Sequence, residues 1–379
     1  MKKLNLGKYC SIGLLAANGV VMADGYDFEA VYTGEVVHNV SGGISTGGRY
    51  LDNLDLLLSL DLRDVFGTGR GTVFLHGLYN NSATFADELV GDLQVTSNID
   101  APYGVRLFEA WYEIRQGAWS LRSGLYDLNS EFDAHETGSL FLNSSHGIGA
   151  ELAQTGENGP SIFPISSLAV RAAWQNDNLS VRLAVLDGVP GDTENLSSNK
   201  VRLSGDDGAL VVLEMDATVG IDTRLWAGHW KYTGSFDHLI SDRRSNNNDG
   251  WYLGAERSFE LTGRTASAFV RYGTANADLN SLENYFGAGV VVQAPFAWRP
   301  DDQLGIAIAS AGAGDPYLDA LLPPGRASGK HETIWELTYR AMVNEHLVVQ
   351  PNIQFVKNPA MDATLSDALV VAIRFQLSF

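Results

Sequence analysis

From Leu369 to Phe379 the chain reads L-V-V-A-I-R-F-Q-L-S-F. Leu369, Val371, Ile373, Phe375, Leu377 and Phe379 share one parity; Val370, Ala372, Arg374, Gln376 and Ser378 share the other. A period of two belongs to a β-strand with unlike faces. One face is wholly apolar, and the other becomes polar towards its end. The pattern recurs upstream. Within 51–63, Leu54, Leu56, Leu58, Leu60 and Leu62 oppose Asn53, Asp55, Ser59, Asp61 and Arg63, with Leu57 as the exception. Leu179, Val181, Leu183 and Val185 oppose Ser180, Arg182, Ala184 and Leu186, and Leu347, Val349, Ile353 and Phe355 oppose Gln350, Asn352 and Gln354.

The alternation predicts strands over 28–38, 51–63, 70–79, 104–115, 118–126, 165–175, 178–187, 208–217, 223–232, 250–259, 264–273, 284–293, 302–311, 331–342, 346–357 and 368–379. That makes sixteen, and single-chain bacterial outer-membrane barrels use an even number. Connections differ in length. Those at Gly67-Thr68-Gly69, 175–178 and 343–345 are short; 80–102, 188–207 and 236–250 are long and polar. Short turns at one end and long loops at the other are the asymmetry of such a barrel. The expected fold is an all-β transmembrane antiparallel barrel, with lipid against the leucine rows and water inside. The chain ends on Phe379, which a barrel would place in the interfacial aromatic girdle.

The stretch from Asp127 to Pro164 breaks the pattern. It is rich in Asn, Ser, Gly, Asp and Glu, with weak periodicity. A loop this long is usually functional or disordered. In a barrel it either folds into the lumen and narrows it or covers the outside. Spacing leaves both placements open, and the expected fold takes the inward-folded one.

At the other end, Lys2, Lys3 and Lys8 precede a mostly apolar stretch from Ile12 to Met22, and Val21-Met22-Ala23 has the small-residue form of a cleavage site. Residues 1–23 therefore read as a secretory signal peptide and 24–379 as one barrel domain. The single cysteine, Cys10, lies in that signal, which excludes disulfides, thiolate metal sites and a cysteine nucleophile from the remainder. Net charge is −19, and −22 once three lysines and no acid are removed. That balance disfavours nucleic acid as a partner. Mean hydropathy is −0.06, and no run of eighteen apolar residues follows the signal, which excludes helical membrane spans but not a barrel.

Four segments resemble the carbohydrate-selective porins of Gram-negative bacteria. They are Leu121–Asp133 (L-R-S-G-L-Y-D-L-N-S-E-F-D), Leu107–Tyr112 (L-F-E-A-W-Y), Gly159–Arg171 (G-P-S-I-F-P-I-S-S-L-A-V-R) and Gln350–Pro359 (Q-P-N-I-Q-F-V-K-N-P). Their order and spacing make the resemblance specific. It implies a sixteen-stranded barrel in the outer membrane that passes sugars by diffusion. It also implies that the aromatic final strand, with Phe379, is the tag read by the barrel-insertion machinery.

A porin performs no chemistry; its constriction screens solutes by size, charge and hydrogen bonding. Sugars call for polar side chains beside aromatic platforms. Glu109 and Glu113 share parity with Trp111 and Arg115, and Arg122 with Ser120 and Gly124. Inward pointing is favoured, since a midplane Arg or Lys facing lipid costs roughly 2–4 kcal/mol. The expected constriction is Glu109, Glu113, Arg122, Asp127, Asn129 and Glu131, with Arg63, Arg70 and His76 in the wall. The competing role for each is to brace neighbouring strands. Trp111, Trp119, Trp226 and Trp230 fit girdle anchors better than sugar platforms. No cofactor is expected, and a homotrimer or a monomer is compatible with the pattern.

Rival readings are weaker. Gly43-Ile44-Ser45-Thr46-Gly47 has the G-x-S-x-G spacing but no helix after it, and His331-Glu332 lacks the second histidine of a zinc motif. His135 and His146 lack ligand spacing for a metal. An outer-membrane barrel enzyme is thus the lesser alternative, and a general or cation-leaning porin the closer one.

Overall fold

The computed structural model describes residues 21–379 apart from 24, 68, 82–83, 193–194, 196–200, 202–206 and 321–324. The expected signal peptide, 1–23, lies almost wholly outside the described residues; Val21–Ala23 pairs as a short strand with Tyr26–Phe28.

Sixteen antiparallel strands form the wall: β1 Tyr26–Gly43, β2 Gly47–Asp61, β3 Thr72–Asn80, β4 Gly104–Gln116, β5 Trp119–Tyr126, β6 Ser167–Gln175, β7 Leu179–Asp187, β8 Ala209–Val219, β9 Thr223–Tyr232, β10 Asp249–Leu261, β11 Arg264–Ala275, β12 Leu282–Gln293, β13 Gln303–Ala313, β14 His331–Met342, β15 Leu347–Lys357 and β16 Ser366–Ser378. Each pairs with its sequence neighbours, and β16 closes on β1 with Arg374 opposite Glu35. The closure leaves no sheet edge, the condition for strands to cross lipid. Reciprocal backbone bonds between Phe379 and Ala30, at 2.9 and 3.0 Å, fix the seam.

The alternation read from the sequence is the in–out alternation of the wall. On β2, Leu51, Asn53, Asp55 and Leu57 are buried inside, while Leu56 is 43% exposed on the outer face. On β16, Ala368, Val370 and Ala372 are buried and Ile373 is 57% exposed. Leu57, the break in the pattern, faces inward as its parity requires. Leu56→Arg is therefore expected to destabilise the folded barrel by roughly 2–4 kcal/mol in lipid vesicles, measured by urea unfolding, because it puts a guanidinium against hydrocarbon. Unchanged stability would place this face away from lipid.

Two features depart from the predicted strands. The segment after β2 turns into a short helix, Leu62–Phe66, capped by Asp61, whose Oδ1 accepts from Arg63 N at 2.9 Å. A bulge at Phe108 on β4 lets Phe108 and Glu109 both point inward.

Short turns gather at one end, the periplasmic end in such barrels, and longer connections at the other. The 127–164 segment enters the barrel. It carries the turns Leu128–Ser130, Thr137–Leu140, Ser144–His146 and Ala150–Ala153. Its Leu128, Phe132, Ile148 and Leu152 pack on Trp226, Trp230, Tyr232 and Tyr252 of β9 and β10. Leu140 and Phe141 pack on Phe269, Val291 and Ala307 of β11 to β13. Glycines make room for this layer. A Cβ at Gly254 would lie 2.1 Å from Trp226, and one at Gly273 would strike Glu151.

Candidate pore constriction

β5 delivers Arg122 and Tyr126 to the lumen immediately before the chain turns inward at Asp127. Arg122 bonds Glu113 through Nε at 3.2 Å and Nη2 at 3.1 Å, lies 3.5 Å from Glu131, and stacks over Trp111 at 3.7 Å. Arg171 of β6 completes the group. Its Nη2 donates to Glu113 at 2.6 Å and to Glu131 Oε1 at 2.8 Å, its Nε to Glu131 Oε2 at 2.7 Å, and its Nη1 to Ser120 at 2.5 Å. Tyr126 donates to Glu131 at 2.6 Å. Burial by itself would raise the Glu131 carboxyl, but the charges of Arg122 and Arg171 hold it down at about 2.

A second group adjoins this one. Glu109, freed inward by the bulge, accepts Trp111 Nε1 at 3.1 Å and Asp127 N at 3.2 Å. His76 lies 3.7 Å from Glu109 and binds Asp55 at 2.8 Å; Asp55 also accepts Asn53 Nδ2 at 2.6 Å. Asp127 caps the next turn by accepting Asn129 N at 2.9 Å. Burial and then the Glu109 charge push the Asp127 carboxyl well above the usual carboxylate range. Asn129 donates to the Phe132 and Gly147 carbonyls at 3.2 and 3.1 Å, which closes the loop on itself.

The structure thus gathers Glu113, Arg122 and Glu131 into one network and Glu109, His76 and Asp127 into the next. Of the six expected constriction residues, Asp127 and Asn129 border the open lumen, a cavity of about 710 Å³ whose wall there is Asn53, Asp55 and Phe108. Arg63 and Arg70 do not belong to the wall. Arg63 sits on the short helix after β2 and Arg70 in the loop following it, both exposed at the barrel end, because the helical turn ends the strand before Arg63. Trp226 and Trp230 are neither girdle nor platform; at 2% and 0% exposure they lie under the inward loop. Trp119 is 62% exposed on the outer face near a short turn, the position of a girdle residue.

The missed residues are those that hold the loop. Wall carboxylates accept its backbone N–H groups: Glu336 from Leu142 and Asn143 at 2.6 and 3.0 Å, Glu214 from Asp133 at 2.7 Å, and Glu256 from Thr137 at 3.1 Å. Asp133 in turn pairs with Arg271 and accepts Gly149 N at 3.0 Å. Arg182 pairs with Glu214, and Arg224 donates to the Ala134 carbonyl at 2.8 Å. Within the loop, burial lowers the His135 imidazole to about 4, and burial with the nearby His135 lowers His146 to about 3. Burial raises the Glu151 carboxyl to about 8. A second connection also turns inward over 84–103: Glu332 accepts Leu93 N and Gln94 N at 2.9 and 3.0 Å, and Arg374 donates to Asn98 at 2.8 Å. An inward parity for Arg171, Arg182, Glu214 and Glu336 on predicted strands was the available signal for this set.

Residues 45–379 match the family described as carbohydrate-selective porin, OprB family. The chain belongs to that family. It is a family of channels rather than enzymes, and this barrel is a carbohydrate channel. Porin B of Pseudomonas aeruginosa is 24% identical over 411 residues, covering 95% of this chain and 88% of that protein. The high-pH structure of Pseudomonas putida OprB superposes with a TM-score of 0.81 at 21% identity over 94% of each chain. A triple mutant of Rhodopseudomonas blastica porin gives 0.56 at 11% identity, over 93% of this chain and all of that one. The inward loop and the ion-pair networks thus belong to a carbohydrate-selective porin.

Proposed function

We propose that sugars cross between the 127–164 loop and the wall of β1 to β5, with Asp127 and Asn129 touching the solute. The observation that carries this reading is the lumenal cavity bordered by those two residues, Asn53, Asp55 and Phe108. Amide and carboxyl groups there suit hydroxyls, and Phe108 offers a ring to an apolar sugar face. Glu109, Glu113, Arg122, Glu131 and His76 hold the loop in place, so their contribution to selectivity is through position. The lumenal carboxylates Glu113, Glu131, Glu214, Glu256 and Glu336 are engaged by arginines or loop N–H groups, which favours sugar over cation selectivity. The site of action is the outer membrane of a Gram-negative bacterium, reached by export through residues 1–23, with the β16 aromatic end at Phe379 serving as insertion tag and interfacial anchor. A monomer and a homotrimer both accommodate this path.

Liposome swelling across sugars, amino acids and anions tests the reading. Small sugars are expected to enter fastest, and Asn129→Ala to weaken sugar block of the ion current in planar bilayers several-fold, in line with loss of one hydrogen bond of about 0.5–1.5 kcal/mol. Equal permeation by all solutes of one size would leave a general porin.

A further inference from the structure

Most lumen-facing arginines, Arg122, Arg171, Arg182, Arg224, Arg271 and Arg374 among them, meet a carboxylate, and Arg106 bonds Asn80 and two backbone carbonyls. Arg340 differs. It lies on the inner face of β14, is 7% exposed and lines the lumenal cavity, and among the described residues its guanidinium has no hydrogen bond or ion pair. Its nearest carboxylate in sequence register is Asp302, next to Gln303, the cross-strand partner of Arg340. Asp302 attracts the guanidinium at longer range but makes no direct contact with it, being already saturated. It accepts from Arg299 at 2.7 and 3.0 Å, from Met342 N at 3.0 Å, and from Tyr339.

Amides surround this cation. Gln293 pairs with Gln303 and Gln303 with Arg340 in register; on the other side Gln350 pairs with Arg374. Gln303, Gln350 and Gln376 line the same cavity. Gln350 uses its Nε2 on the Leu140 carbonyl at 2.7 Å and on Thr338 at 2.8 Å. Its oxygen is left to accept. Leu140 belongs to the inward loop, so this row lies just beneath the loop, on the side of the short turns. Cross-strand neighbours stand about 4.5–5.5 Å apart, a spacing one sugar ring spans.

We propose that Arg340, with Gln303, Gln350 and Gln376, forms a second solute subsite on the periplasmic side of the constriction that takes the carboxylate of an acidic sugar, a uronate or aldonate. A guanidinium presents two parallel N–H groups that match a carboxylate. The flanking amides both donate to and accept from ring hydroxyls. A guanidinium with no direct ion-pair partner, flanked by neutral amides, has its N–H groups available to a monoanion. The inference rests on the carbohydrate-channel reading and adds a solute class to it.

The test is block of single-channel current by D-glucuronate and by D-glucose, added on the periplasmic side at matched ionic strength. Glucuronate is expected to block at lower concentration than glucose, and Arg340→Gln to reduce the ratio of the two about tenfold, the loss of one charge-assisted pair. Arg340→Lys is expected to fall between, since it keeps the charge without the planar fork. Gln303→Leu, which leaves the cation in place, is expected to weaken glucuronate block several-fold, and it serves should Arg340→Gln not fold. An unchanged ratio in Arg340→Gln overturns the proposal. So does Arg340→Lys behaving as wild type, which reduces the site to unspecific charge, or inorganic phosphate blocking better than glucuronate. Failure of the channel reading is separate, since glucose itself would then not block, and it would remove the inference with it.

Discussion

Arg171→Ala is expected to widen the pore. The guanidinium is 1% exposed and bridges Glu113 to both oxygens of Glu131, one on the wall and one on the loop. Its removal leaves two carboxylates short of a partner, and breaking a buried pair on one side costs about 3–5 kcal/mol. Arg122 still touches both acids at 3.1 and 3.5 Å, which puts the loss at the lower end. The other barrel strands do not depend on this contact, so the cost falls on the loop rather than on the wall. Single-channel conductance should rise and discrimination between mono- and trisaccharides should fall, with the barrel still folded. Arg171→Lys should rescue little, because an ammonium cannot serve both acids in the same plane. A cycle with Glu131→Gln should show coupling of about 0.5–3 kcal/mol. Wild-type conductance and selectivity in Arg171→Ala would mean that the network does not hold the loop.

The grip on the loop should also depend on pH, with an optimum between about pH 4.5 and 6.5. Glu131 is depressed from 4.5 to about 2, so its stabilisation is complete above 4.5 and is lost as pH falls through 2. His135 and His146 are depressed from 6.5 to about 4 and about 3, so theirs is complete above 6.5 and is lost on the way down to those values. Glu151 runs the other way. Raised from 4.5 to about 8, it stabilises the loop most at acid pH and loses that contribution as pH rises to 8. Asp127, also raised, acts in the same sense. Between 4.5 and 6.5 the histidine and acid slopes oppose one another. Below 4.5 the Glu131 and histidine slopes add, and above 6.5 only the Glu151 and Asp127 losses remain. Conductance and protease cleavage within 127–164 should therefore be lowest in that window and rise on both sides. Glu131→Gln should flatten the acid limb and Glu151→Gln the alkaline one. A flat response from pH 3 to 8 at constant salt would remove this account.

Much of the site was visible as parity without partners. Arg122, Glu113 and Glu109 read as inward from their spacing, and inward is where they lie. The chain could not reveal that Arg171, opposite Arg122 on the next strand beyond the 127–164 loop, would join Glu113 and Glu131, because the strand register is set on closure and the Glu131 contact depends on where the loop settles. Arg63 was misplaced for a local reason: Asp61 caps a helical turn that ends the strand two residues early. Trp226 and Trp230 were misread because a covering loop can bury an inward aromatic that open lumen would leave wet.

The alternation of apolar and polar positions by itself determined a β-barrel of about sixteen strands and its outward apolar rows. Successive side chains on a strand point to opposite faces, so a barrel's two solvents are written residue by residue. Only the tertiary structure decided what fills the lumen. Glu336 meets Leu142, Gln350 meets Leu140 and Arg374 meets Asn98 across roughly two hundred residues or more of chain. Such pairs follow from barrel closure and from the docking of two inward loops, and neither the period of a strand nor the composition of a loop specifies which distant groups will face one another.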